Sequence, residues 1–145
     1  MESVISFSEK VRLVFEQNKK AIDLPFFHSF PQNSCESSVC FHAMLVREKF
    51  PNMQLEVVLG SNQMNDEHHY WLEVDGLAFD LTCDQFDGIY EPIYAQSEHL
   101  MATYFSHTKR FPIMDFVINY LGNTVDVELF SKNKKKIQDW LKVNV

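Results

Sequence analysis

One pair, Asp75-Gly76, constrains this chain more than any other two residues. It sits inside the stretch EHHYWLEVDGLAFDLTCDQF, Glu67 to Phe86, between two runs of aromatic and apolar residues. Asp-Gly is a favoured pair for a two-residue type I′ turn, because both central positions need positive φ. The stretch therefore reads as a β-hairpin, and the turn sets its register. With Val74 opposite Leu77, Trp71 falls opposite Asp80 and His69 opposite Thr82. Alternate residues share a face. One face then carries Tyr70, Leu72, Val74, Leu77, Phe79 and Leu81, all of them apolar or aromatic. The other carries His69, Trp71, Glu73, Ala78, Asp80 and Thr82. His69 and Asp80 become diagonal cross-strand neighbours, at roughly 7–8 Å between backbones, a gap that longer side chains bridge. His68 points the opposite way.

A carboxylate beside an imidazole is half of a nucleophilic constellation, so the rest of the chain is read for a thiol or hydroxyl. The 145 residues fit one domain spanning 1–145. Hydrophobic residues make up 46% and Phe alone contributes 13, enough for a core without disulfides or metals. The net charge of -7 argues against a nucleic-acid partner, since phosphate contacts need a basic surface. The one basic run, Lys132 to Lys136, reads as a solvated helix face. The N-terminal region has no apolar leader-like run and nothing approaches the length of a membrane span. Three cysteines at irregular spacing do not make a disulfide framework. The expectation is a soluble cytoplasmic protein with free thiols, no membrane partner and no cofactor.

In chain order, Ser6 to Lys20 reads as a first helix, with Ser6 and Glu9 as a capping box and Phe7, Val11, Val14, Phe15 and Ile22 on one face. Pro25 ends that region, and Phe26, Phe27 and Phe30 form an aromatic loop that packs down. Gln32 to Ser34 are small or polar residues before a helical pattern that Pro51 stops. Cys35 thus stands at or just before a helix N-terminus, where the dipole and free N–H groups favour a thiolate. Cys40 lies inside the helix and reads as core. Gln54 to Gly60 is a strand, and Ile89 to Tyr94 an edge strand interrupted by Pro92. Glu98 to Arg110 is either a short helix or an ordered loop. Ile113 to Leu121 is helical, with Gly122 as its stop, and Asp126 to Lys142 is a last helix with Val127, Phe130, Ile137, Trp140 and Leu141 inward. Helices flanking antiparallel strands make an α+β chain.

Cys35 at a helix start, His69 on one strand and Asp80 on the next supply a nucleophile, a base and a group to hold the base's tautomer. At these residues the chain resembles the papain-like, transglutaminase-like superfamily of cysteine hydrolases and acyltransferases. The resemblance rests on Cys35 opening its helix, on His69-Tyr70-Trp71-Leu72-Glu73-Val74-Asp75-Gly76 and on Phe79-Asp80-Leu81-Thr82. It covers Gln32 to Phe86. It implies a papain-like or transglutaminase-like domain, with N-terminal helices packed on a small antiparallel sheet followed by C-terminal helices. It also implies Cys35 as nucleophile, His69 as general base and then acid, and Asp80 as its orienting partner. The reaction class is peptidase (a thiol protease), amidase, deamidase or transglutaminase-type acyl transfer, all through a thioester on a protein or peptide substrate. An oxyanion hole is needed; the Cys35 backbone N–H is one candidate donor, and the Gln32 or Asn33 side chain another. Trp71 is a wall or lid of the pocket.

Alternatives stay open on the residues alone. Cys35 is otherwise a buried small apolar residue, Gln32 and Asn33 plain loop residues, and Asp84 a substitute for Asp80. The same scaffold without catalysis is a protein-binding module. A coenzyme A-dependent acetyl transfer uses a similar triad. Asp66, Glu67, His68, His69, Cys83, Cys40 and His42 invite a zinc reading, but their spacing matches no standard ligand set and adjacent strand histidines diverge, so no metal is expected.

Overall fold

The computed structural model describes residues 1–143. Four α-helices share the main core with one face of a five-stranded antiparallel sheet, an α+β arrangement. The helices are α1 (Glu2–Asn18), α2 (Cys35–Lys49), α3 (Ile113–Asn123) and α4 (Val127–Val143). The strands are β1 (Leu55–Asn62), β2 (Glu67–Val74), β3 (Leu77–Asp80), β4 (Ile93–Gln96) and β5 (His107–Pro112), in spatial order β4-β3-β2-β1-β5. Among the described residues no helix is long and apolar enough to cross a membrane.

The hairpin forms at the expected turn, with Asp75 at φ 47° and Gly76 at φ 81°. Val74 pairs with Leu77, Glu73 with Ala78 and Leu72 with Phe79. The apolar face lies where the alternation puts it: Leu72, Val74, Phe79 and Leu81 are buried in the main core with Val39, Phe41 and Ala43 of α2. The opposite face is not open to water. Val58, Trp71, Ala78, Cys83, Ile93 and Phe105 close a second, smaller core over it. That second core keeps His69 and Asp80 dry.

The paired register does not run to Thr82. The β2–β3 ladder ends at Leu72–Phe79, and on the other edge of β3 Asp80 pairs with Ile93 of β4. Ala78 faces Gln96, so β4 spends one more residue than β3 over the same span. Ala95 is at φ 52° there, a bulge of the kind that re-aims a neighbouring side chain.

Other expectations shift for packing reasons. Helix α1 begins at Glu2, so Ser6 and Glu9 lie inside it and form no capping box. Val4 is fully buried with Val11, Val14 and Phe15, and this apolar contact carries the helix past the cap signal. Of the aromatic loop, Phe27 and Phe30 are buried beside Phe15, whereas Phe26 is 65% exposed. The edge strand starts only after Pro92, as a missing N–H requires. Residues 107–110, expected as helix or loop, belong to edge strand β5 on β1. Its exposed Thr108, Lys109 and Arg110 leave no alternation to read, and charged edges of this type resist further pairing. Gly122 lies inside the last turn of α3, and Val127 is exposed where α4 begins.

Candidate active site

Three elements bring the predicted residues together. Cys35 is the first residue of α2, and its side chain is half-buried. Ser34 is the N-cap but turns its hydroxyl back to the Pro31 carbonyl at 3.1 Å, so no side chain caps the helix. The first intrahelical bond is Ser38 N–H to the Ser34 carbonyl, which leaves the Cys35 N–H without an intrahelical acceptor. His69 comes from β2 and Asp80 from the end of β3, both buried.

His69 Nε2 lies 2.6 Å from Asp80 Oδ2. The ring's other nitrogen, Nδ1, is buried without a hydrogen-bond partner. Cys35 comes after Asp80 among the groups that favour the charged ring. Burial alone would disfavour a charged ring. Asp80, with help from Cys35, more than reverses that and raises His69 well above the ordinary histidine range. Burial likewise pushes the Asp80 carboxyl up, and the two neighbouring imidazoles overcome it, so Asp80 is held well below the usual carboxylate range.

Asp80 is fully engaged. Its Oδ1 accepts the Thr82 N–H at 2.9 Å and the Thr82 hydroxyl at 3.3 Å. Its Oδ2 accepts from His69 and, at 2.7 Å, from Nε2 of His99. Sequence reasoning did not single out His99. It lies in the ambiguous 98–110 stretch, and a lone histidine in a segment with no periodicity carries no local signal. Aromatic rings complete the enclosure. Phe105 stacks on His69 at 5.7 Å, Phe86 meets it edge-on at 4.9 Å, and Trp71 lies 4.2 Å from the His99 ring. Trp71 is thus a wall of the site, with its Nε1 buried and unpaired.

The oxyanion candidates are placed differently from each other. The Gln32 amide donates to the Gln85 carbonyl at 3.1 Å, so it serves to tie the Cys35 loop to the turn after β3. Asn33 takes a left-handed backbone, φ 59°, and its N–H donates to Gln85 Oε1. Gln85 also donates to the Thr82 carbonyl. Gln85, which the sequence places in the turn that follows the strand, lies in that turn and also connects it to the thiol's loop. Asp84 does not meet the imidazole: both its oxygens accept from Arg12 of α1, at 2.7 and 2.8 Å. Arg12 also donates to Glu16 and to the Leu81 carbonyl, clamping the chain just past Asp80.

Cys40 and Cys83 are buried, and burial pushes both thiols up, Cys40 to about 12. His42, on α2 behind the site, binds Ser8 Oγ at 2.8 Å; burial pushes it down to about 3, against a weaker pull from Asp80. His68 is exposed and bonds Ser61.

The ligand-type atoms of His69, Asp80 and His99 lie within 4.8 Å of one another. The contacts to the shared oxygen, 2.6 and 2.7 Å, are hydrogen-bond lengths. Tetrahedral zinc ligands at about 2.0–2.1 Å stand roughly 3.3 Å apart, so these atoms fit proton sharing better than a metal. A cavity of about 10 Å³ lies against Cys35, His42, Phe79 and Thr82, room for about one water. Two larger hollows, about 520 and 680 Å³, flank Leu100 and include none of Cys35, His69 or Asp80. Compared with family models, with curated proteins and with solved structures, the chain matches none.

Proposed function

We propose that this protein performs cysteine-dependent acyl chemistry on an amide or ester carbonyl, through Cys35, His69 and Asp80, on a papain-like or transglutaminase-like scaffold. The observation that carries it is the His69 ring. Asp80 holds one nitrogen, which forces the proton onto Nε2 and leaves Nδ1, without a hydrogen-bond partner, as the base available to Cys35. The raised affinity of the ring means that a proton taken from the thiol is well held.

In this reading Cys35 Sγ gives its proton to His69 Nδ1 and bonds to the carbonyl carbon, and the carbonyl electron pair moves onto oxygen. The Cys35 N–H, at the start of α2, is the proposed donor to that oxygen. The tetrahedral species collapses to a thioester, and the leaving amine departs with the proton from Nδ1. Water or an amine, deprotonated by Nδ1, then attacks the thioester, and Cys35 leaves as thiol. A protein or peptide is the proposed substrate, with no cofactor in the reaction.

An activated ester such as p-nitrophenyl acetate tests the reading. The expected result is an acetyl group on Cys35 by peptide mass mapping, released on standing, absent in Cys35→Ala and much slower in His69→Ala. Acylation of Cys35 at the same rate with and without His69 overturns it.

A second reading is favoured by the small size of the hollow against Cys35, which admits a water but no substrate. It makes the domain a catalytically silent protein-binding module. Iodoacetamide reactivity of Cys35 equal to that of a free thiol and indifferent to His69→Ala supports this reading over the first.

A further inference from the structure

Asp80 Oδ2 carries two imidazoles where a nucleophilic triad needs one. The second ring has a defined tautomer. His99 Nδ1 accepts the backbone N–H of Met101 at 2.9 Å, so that nitrogen bears no proton. The ring proton therefore sits on Nε2 and points at Asp80, 2.7 Å away. With Thr82 on Oδ1, every acceptor direction of the carboxylate is taken. His99 is itself fixed by the Trp71 ring against its face. It is as buried as its partners, and a polar ring is costly there unless both nitrogens are used. Both are used.

We propose that His99 is a positioning residue for the Cys35–His69 reaction: its Nε2–H holds the Asp80 carboxylate in line with His69 and takes up part of its negative charge. This rests on the reading of Cys35 and His69 given above. A carboxylate bonded only to His69 would bind the ring's proton more firmly and make it a poorer acid toward the leaving group. A second neutral donor on the same oxygen moderates that pull without adding charge. The titratable groups facing the Asp80–His69 pair are Cys35 and His42 from α2, His99 from the segment between β4 and β5, and Cys83 from the turn after β3. Of these, His99 is the one that bonds the carboxylate in addition to His69.

The test is NMR of protein ¹⁵N-labelled at histidine, which needs no substrate. In the wild type, His99 is expected to show the Nε2–H tautomer that its bond from the Met101 N–H dictates; an Nδ1–H tautomer overturns the proposal without any variant. In His99→Phe the titration midpoint of His69 is expected to rise by about half a pH unit or more, and His99→Gln, which keeps an N–H donor, to return it toward the wild-type value. A midpoint that stays or falls in a folded His99→Phe protein also overturns it. Failure of Cys35 to be acylated would remove the proposed reaction but leave these histidine titrations unchanged, so the two failures are distinguishable.

Discussion

The ring of Trp71 lies directly against Gly60 of the neighbouring strand: a Cβ on Gly60 would stand 2.6 Å from Cζ3 and 2.8 Å from Cη2 of that ring. It would also meet Phe105 Cβ at 2.8 Å. Gly60 pairs with His69 across the β1–β2 ladder. The absent side chain is therefore what lets the indole and Phe105 close over His69 and His99. Gly60→Ala is expected to destabilise the fold by about 1–3 kcal/mol through overpacking. It should also slow Cys35 acylation, because the rings that seat both imidazoles must move. Urea unfolding combined with the ester assay checks both effects, and an alanine variant equal to wild type in each refutes the packing role.

Asp80→Asn keeps the shape of the side chain and changes its hydrogen-bonding sense. The Thr82 N–H requires an oxygen at one position, which turns the amide NH₂ toward two rings that both donate. His69 must then flip its proton to Nδ1 and lose its base. Cys35 acylation is expected to fall on the order of 10³-fold or more, as it does when a triad tautomer is inverted, measured by mass mapping of the ester adduct. Retention of more than a tenth of the rate would show that Asp80 does not set the tautomer.

Arg12 holds the turn after Asp80 from the far side of α1. Arg12→Met removes both bonds to Asp84 and the bond to the Leu81 carbonyl while keeping most of the side-chain volume over Phe30. The buried acceptors left behind make the expected loss about 3 kcal/mol. Chemical denaturation reads the change, and the paired variant Arg12→Met with Asp84→Asn should recover part of it.

Two histidines pull the pH dependence of stability in opposite directions. His69 is raised in the folded state, so its contribution is complete below the unfolded histidine value near 6.5 and is lost as pH climbs toward the folded value. His42 is lowered to about 3, so the unfolded chain binds the proton first, and stability falls as pH drops from about 6.5 toward 3. Asp80 is depressed; its contribution is present above the unfolded carboxylate value near 3.9 and lost only in strong acid. Stability should therefore peak near pH 6–7. His42→Gln should flatten the acid limb by up to about 1.4 kcal/mol per pH unit, seen in urea midpoints at pH 4.5, 5.5 and 6.5. An unchanged acid limb in that variant assigns the effect to another group.

The three thiols should separate by reactivity. Cys40 and Cys83 are buried and pushed up, whereas Cys35 is half-exposed at a helix start. Iodoacetamide at neutral pH is expected to label Cys35 alone in the folded protein, and all three in urea. Labelling of Cys40 or Cys83 at a comparable rate without denaturant would contradict their burial.

What the amino-acid sequence determined by itself is the part governed by short-range rules. A turn pair that demands positive φ and an alternation of period two placed Val74 against Leu77, and put His69 and Asp80 on one face. The polar run before a 3.6-residue pattern put Cys35 at the start of α2. Tertiary structure decided everything that depends on contacts far along the chain. The β2–β3 ladder stops at Leu72–Phe79, and on the other edge of β3 a bulge in β4 sets Asp80 against Ile93; no residue of β3 announces either. His99 reaches Asp80, Gln85 joins the Cys35 loop to the Thr82 turn, and Arg12 grips Asp84 across more than seventy residues. Single polar residues of this kind have no periodicity and no cap or turn preference to betray them. His99 and Arg12 answer the desolvation cost of carboxylates, and Gln85 that of loop polar groups, each being a partner the folded chain brings within reach.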